Sequence, residues 1–126
     1  MTLSLLGGIH HVAIIASDYE RSRHFYHQVL GLPILAETLR EARQSWKLDL
    51  ALPDGGQLEL FSFPTPPARP SRPEACGLRH LAFRVPALDP VIAHLEQHEL
   101  TGSRFTFFAD PDGLPLELYE VDAEPA

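Results

Sequence analysis

The chain is written in two similar halves, and the similarity can be counted. "IHHVAII" (9–15) and "LRHLAFRV" (78–85) are both β-type runs, and each is followed by a helical segment, 17–31 in the first half and 87–100 in the second. Each half also closes on a Pro-Asp-Gly turn and an apolar strand, "LPDGGQLELFSF" (52–63) and "DPDGLPLELYEV" (110–121). Placing His11 on His80 aligns "VAI" with "LAF". The turn residues Asp54 and Asp112 also align, and each is followed five residues later by a glutamate, Glu59 or Glu117. Between the halves runs "FPTPPARPSRPEACG" (63–77), too rich in proline for a helix or a central strand. The reading is therefore module one over 8–63, a connector over 64–77 and module two over 78–122.

The repeat is not perfect. His11 to Glu59 is 48 residues and His80 to Glu117 is 37, a shortfall of 11. Module one has two strands between its helix and its turn, "LPILAETLR" (32–40) and "SWKLDLAL" (45–52), where module two has only "SRFTFFA" (103–109). A strand with its connection takes on the order of ten residues. One strand is thus expected to be missing between Leu100 and Thr101: either the protein has lost an edge strand, or a disordered segment is left out of the sequence as written. Ser17 or Asp18 is the expected cap of the first helix and Gly31 its stop. In the second, Asp89 is the expected cap, with Pro90 at the first helical position.

Strand periodicity separates functional from structural positions. Successive side chains alternate between the two faces of a sheet, so Leu81, Phe83 and Val85 form one apolar stripe and His80, Ala82 and Arg84 the opposite row. By the repeat, Val12 and Ile14 take the apolar side and His11 the other. His10 is left on the face under the helices or at its rim. In "QLELF" and "PLELY" the leucines face inward, leaving Glu59 and Glu117 opposite. Four strands each aim one ligand-type side chain at the face that helices leave uncovered. One such histidine or glutamate alone is more often solvated or simply packed; four in register are a donor set. Two imidazoles and two carboxylates suit one divalent cation such as Ni, Co, Zn, Mn or Fe, with open positions for water or substrate.

Composition narrows the partners. There are 17 acidic and 10 basic residues and a net charge of −7, which argues against a nucleic-acid or anionic-membrane surface. No apolar run approaches the roughly 20 residues that span a bilayer. A single cysteine, Cys76, forms no internal disulfide and reads as a small packing residue; a cytoplasmic location is the expectation. Phe25 and Tyr26 read as core, and His24, His27, His94 and His98 as solvated helix positions.

"HHVAI", "LELF", "RHLAF" and "LELYE", set in two βαβββ modules, resemble the vicinal oxygen chelate superfamily. The likeness is nearest to its glyoxalase I-like branch and the small bacterial YaeR-type proteins; "SRPEACGLRHLAF" and "RFTFFADPDGLPLELYE" make it specific. It implies an α+β fold in which two modules build an open, eight-stranded, barrel-like sheet around a metal held by His11, Glu59, His80 and Glu117. It also implies a lyase or isomerase acting on a hemithioacetal or hydroxy-ketone, with Glu59 or Glu117 removing a proton while the metal stabilises an enediolate. An epimerase, a dioxygenase and a non-catalytic metal-dependent small-molecule binder are the alternatives. Extradiol dioxygenases of the superfamily use two histidines and one carboxylate, so Glu59 counts against that chemistry. No glutathione-contacting pattern is visible. Instead Arg40, Arg43, Trp46, Lys47 and Phe61 of module one, with Arg69 and Arg72 of the connector, are candidates for holding substrate, the cations through a carboxylate or phosphate. Modules of this kind often pair edge to edge, so a homodimer is compatible with the sequence.

Overall fold

The structure, a computed structural model, describes residues 5–70, 72–98 and 107–121. The chain divides within its proline-rich stretch into two compact units, Met1–Pro66 and Pro67–Ala126. The junction between Leu100 and Thr101, where a strand was expected to be missing, lies outside the described residues.

The first unit is a four-stranded sheet covered on one face by a helix. Its elements are β1 (His11–Ala16), α1 (Tyr19–Arg23), which continues as a π-helical turn (His24–Val29), β2 (Ile34–Arg40), β3 (Ser45–Ala51) and β4 (Gln57–Ser62). The order across the sheet is β1-β4-β3-β2, with β1 parallel to β4 and the other pairs antiparallel. A parallel pair needs a long crossover, and the helix and two strands between β1 and β4 supply it. Asp18 caps α1, its Oδ1 accepting from the Arg21 N–H at 3.1 Å. After the helix, Gly31 takes a positive φ of 77°, the left-handed turn in which glycine is favoured. The stripe Ser22, Phe25, Tyr26 and Val29 is buried. On the sheet Ile14, Leu48, Leu50, Leu58 and Leu60 are buried, as their alternation requires. Each fully buried leucine contributes on the order of 1.5–3 kcal/mol relative to exposure.

A polar cluster fastens the helix to the edge of this sheet. The Tyr19 hydroxyl donates to Glu37 on β2, Arg23 Nε donates to the same carboxylate at 2.9 Å, and the Tyr19 ring stacks on Trp46 at 5.5 Å. The Tyr19 hydrogen bond above all holds the Glu37 carboxyl below its usual range; burial opposes it, and the Arg23 hydrogen bond and charge add to the lowering. Burial and then Glu37 push the Tyr19 hydroxyl well above its usual range.

The second unit contains β5 (Leu81–Val85), α2 (Leu88–Gln97), β6 (Phe107–Ala109) and β7 (Pro115–Glu120). Its described strands form a three-stranded sheet, β5-β7-β6, with β5 parallel to β7. Leu116, Leu118, Phe108 and Val85 are buried on one face. The start of α2 departs from expectation. Its cap is Ala87, which has no capping side chain, and the first helical N–H, that of Leu88, donates instead to Glu120 Oε1 at 3.0 Å. Asp89 and Pro90 therefore lie inside the first turn, where proline's missing donor is harmless. The two Pro-Asp-Gly turns fold alike. Gly55 N–H donates to Leu52 O at 3.1 Å and Gly113 N–H to Asp110 O at 3.0 Å, with φ of 96° and 86° at the glycines. Among the described residues no helix is long and apolar enough to cross a membrane.

The Tyr19–Glu37–Arg23 cluster sets a pH dependence. Because the Glu37 pKa is lowered on folding, its contribution is present above the unfolded carboxylate value near 4.3 and is lost as pH falls through the folded value. Urea titrations of wild type and Glu37→Gln are expected to show a stability gap at pH 6 that narrows as pH falls below the unfolded carboxylate value near 4.3.

Candidate metal centre

Strand register brings a histidine and a glutamate together in each unit, in the same way. In the parallel pair β1–β4, Ala13 stands opposite Glu59; in β5–β7, Ala82 stands opposite Glu117. His11, the first residue of β1, lies on the Glu59 face by register, and His80, one residue before β5, comes close to Glu117 in the same way. His11 Nδ1 is 3.6 Å from Glu59 Oε2, and His80 Nε2 is 3.8 Å from Glu117 Oε1. These distances are too long for hydrogen bonds. They place an imidazole and a carboxylate side by side, the two donor types that would hold a divalent ion.

Burial bears on whether the residues suit a cation. The Glu59 and Glu117 side chains are only 12% and 20% exposed, and among the described residues neither accepts a hydrogen bond. A largely desolvated carboxylate in that condition requires a positive charge nearby. In the first unit the demand is greater, because Asp49 on β3 stands directly opposite Glu59 and points to the same face. Lys47 answers it in part, with Nζ 3.4 Å from Asp49 Oδ1 and 3.9 Å from Glu59 Oε1. Imidazole and carboxylate donors therefore fit a borderline divalent ion. Among the described residues, no three His, Cys, Asp or Glu side chains are gathered in one place, so each unit by itself offers a pair of donors.

The structure sorts the remaining candidates. Arg40, Lys47 and Phe61 share the Glu59 face by register. The Arg40 guanidinium lies 4.9 Å from the Phe61 ring centroid and donates to Ser45 Oγ at 3.1 Å. Trp46 falls on the opposite face with Leu48 and Leu50 and stacks on Tyr19 while remaining 37% exposed. Arg43 is exposed in a short 3-10 turn, Glu41–Arg43. Arg72 lines a cleft of the second unit together with His80. Arg69 Nη2 donates to Leu78 O at 2.6 Å and Arg79 O at 3.2 Å, which ties the connector to the start of β5.

Of the two places left open for His10, under the helices or at the rim, the structure excludes the first: it precedes β1, is exposed, and its Nδ1 is 2.9 Å from Nδ1 of His11, one ring donating and the other accepting. Cys76 is exposed at the cleft rather than packed. Asp49 was not singled out at all. The strict alternation of "SWKLDLAL", with Trp46, Leu48 and Leu50 apolar and Lys47 and Asp49 charged, already assigns it to the Glu59 face.

Comparison with known proteins agrees with this architecture. Residues 8–118 match the Glyoxalase/Bleomycin resistance protein/Dioxygenase superfamily. The chain is 59% identical to the uncharacterized protein YaeR of Escherichia coli (strain K12), over 89% of this chain and 95% of that protein. It is 56% identical to the uncharacterized protein YwkD of Bacillus subtilis (strain 168), over 92% and 98%. A 2-epi-5-epi-valiolone epimerase of Actinomyces sp. is 27% identical over 91% of this chain and 80% of its own. Among solved structures, a glyoxalase family protein from Enterococcus faecalis superposes with a TM-score of 0.81 at 46% identity, over 93% of this chain and all of that one. The trypanothione-dependent glyoxalase I of Leishmania major gives 0.70 at 25% identity, over 90% and 86%.

Metal titration of substituted proteins separates the adjacent histidines. His11→Ala is expected to abolish binding of a divalent ion. His10→Ala is expected to retain it, weakened by at most the 10- to 100-fold typical of a residue that only orients a ligand. Equal loss in both would contradict the register.

Proposed function

The chain belongs to the Glyoxalase/Bleomycin resistance protein/Dioxygenase superfamily, and from that premise we propose that it is a metal-dependent lyase or isomerase of the glyoxalase I type. The observation that carries the reading is the repeated His–Glu pair, with largely buried carboxylates that accept no hydrogen bond among the described residues. His11, Glu59, His80 and Glu117 are the residues that would together hold one divalent ion. When bound, that ion supplies electrophilic stabilisation for negative charge developing on two adjacent substrate oxygens. Glu59 and Glu117 hold and move the proton: a carboxylate takes it from the carbon beside the substrate carbonyl and returns it to the neighbouring carbon. Lys47 balances the charge that Glu59 shares with Asp49, while Glu117 stands opposite Phe107 on β6. The substrate is a small oxygenated molecule, a hemithioacetal or a hydroxy-ketone. Similarity to a glyoxalase I of known structure supports this reaction class.

A second reading, epimerisation by the same carboxylates, is favoured by the 27% identity to an epimerase. One carboxylate removing a proton and the other delivering one to the opposite face of the same carbon would need no further group.

The test is turnover by protein loaded in turn with nickel, cobalt and zinc, assayed on methylglyoxal with a panel of thiols. Formation of a thioester with at least one thiol, abolished by chelation, is the expected result. Metal-loaded protein that forms no thioester with any thiol, yet exchanges a substrate C–H for solvent deuterium with inversion, would replace the lyase reading with the epimerase.

A further inference from the structure

The second unit contains a cleft whose charge the metal reading leaves unused. Its volume is about 650 Å³, within the range of small-molecule sites. One wall is the proline-rich segment; His80 and Phe107, whose rings meet edge to face at 5.6 Å, form part of another. Arg69, Arg72 and Arg79 line it against a single carboxylate, Glu74, in a chain of net charge −7. Two of these arginines are committed. Arg69 holds the carbonyls of Leu78 and Arg79, and Arg79 pairs with Glu74 at 3.0 Å. Arg72 is exposed and makes no hydrogen bond or ion pair with a described residue. A guanidinium presents a planar fork of donors that matches a carboxylate or phosphate with two parallel hydrogen bonds.

We propose that this cleft is the substrate site and that the substrate is an anion: a hydroxy-ketone or hemithioacetal whose phosphate or carboxylate rests on Arg72 while its vicinal oxygens face His80. The proposal rests on the metal-dependent reading above and adds the charge of the substrate to it. Arg72 and His80 line the same cleft, so one small molecule can meet both. The surplus of arginine selects against cations. Lys47 and Arg40 do not compete for the role, the first being paired with Asp49 and Glu59 and the second lying over Phe61.

Calorimetric binding to the metal-loaded full chain tests it with three probes: dihydroxyacetone phosphate, hydroxypyruvate and neutral dihydroxyacetone. One of the two anions is expected to bind at least about tenfold more tightly than the neutral ketone, and which one does so tells phosphate from carboxylate. Arg72→Met is expected to remove that preference and Arg72→Lys to retain part of it. Anions that bind no better than dihydroxyacetone, or a preference that survives in Arg72→Met, would overturn the proposal. Metal content measured on the same samples separates two failures. Protein that takes up no metal but keeps the Arg72-dependent preference overturns the catalytic reading and leaves the anion site standing. Metal-loaded protein without the preference overturns the anion site alone.

Discussion

The parallel pairing of the first and last strand within each module is the constraint on which the remaining features depend. It fixes Ala13 against Glu59 and Ala82 against Glu117, and so sets each histidine beside a carboxylate on the face away from the helix. A shift of one residue in either register would turn the glutamate into the leucine layer and the leucines into solvent. Burial of Leu58 and Leu60 in one unit, and of Leu116 and Leu118 in the other, holds the register in place. The hydrophobic core and the donor pairs are thus two faces of one alternation. Neither can be altered without the other.

That coupling is why so much was readable in the chain. Period-two patterning assigned His11, His80, Glu59 and Glu117 to one face because their neighbours are leucine, isoleucine, valine and phenylalanine. The Pro-Asp-Gly turns announced themselves because proline and glycine each preset a backbone angle. What escaped the reading depends on contacts distant in sequence. The cap of α2 comes from Glu120, 32 residues beyond Leu88, and no local pattern announces it. Trp46 is different, because its place on the face opposite Lys47 and Asp49 is given by the alternation of its own strand.

Charge on the sheet face of the first unit deserves weight in any account of function. Glu59 and Asp49 stand opposite each other across β3–β4, an arrangement that like charges make unfavourable. Lys47, two residues before Asp49 on the same face, lies within 4 Å of both carboxylates. Natural sheets avoid such oppositions unless a cation offsets them, and one lysine offsets only one of two charges. The second unit lacks this elaboration among its described residues, presenting Glu117 opposite Phe107 instead. The repeat has therefore kept its donors while its surroundings diverged, leaving one carboxylate tied by charge and the other beside an aromatic ring. Membership of a superfamily whose name joins glyoxalase and dioxygenase chemistry fits a repeated His–Glu pair in differing surroundings.

The central claim is that His11, Glu59, His80 and Glu117 ligate a single ion. Anomalous diffraction from crystals grown with nickel or zinc tests it most directly. The account predicts one anomalous peak per chain, at about 2.0–2.2 Å from a nitrogen of each histidine and an oxygen of each glutamate. A peak held by other side chains, or separate peaks at the two His–Glu pairs, would contradict it.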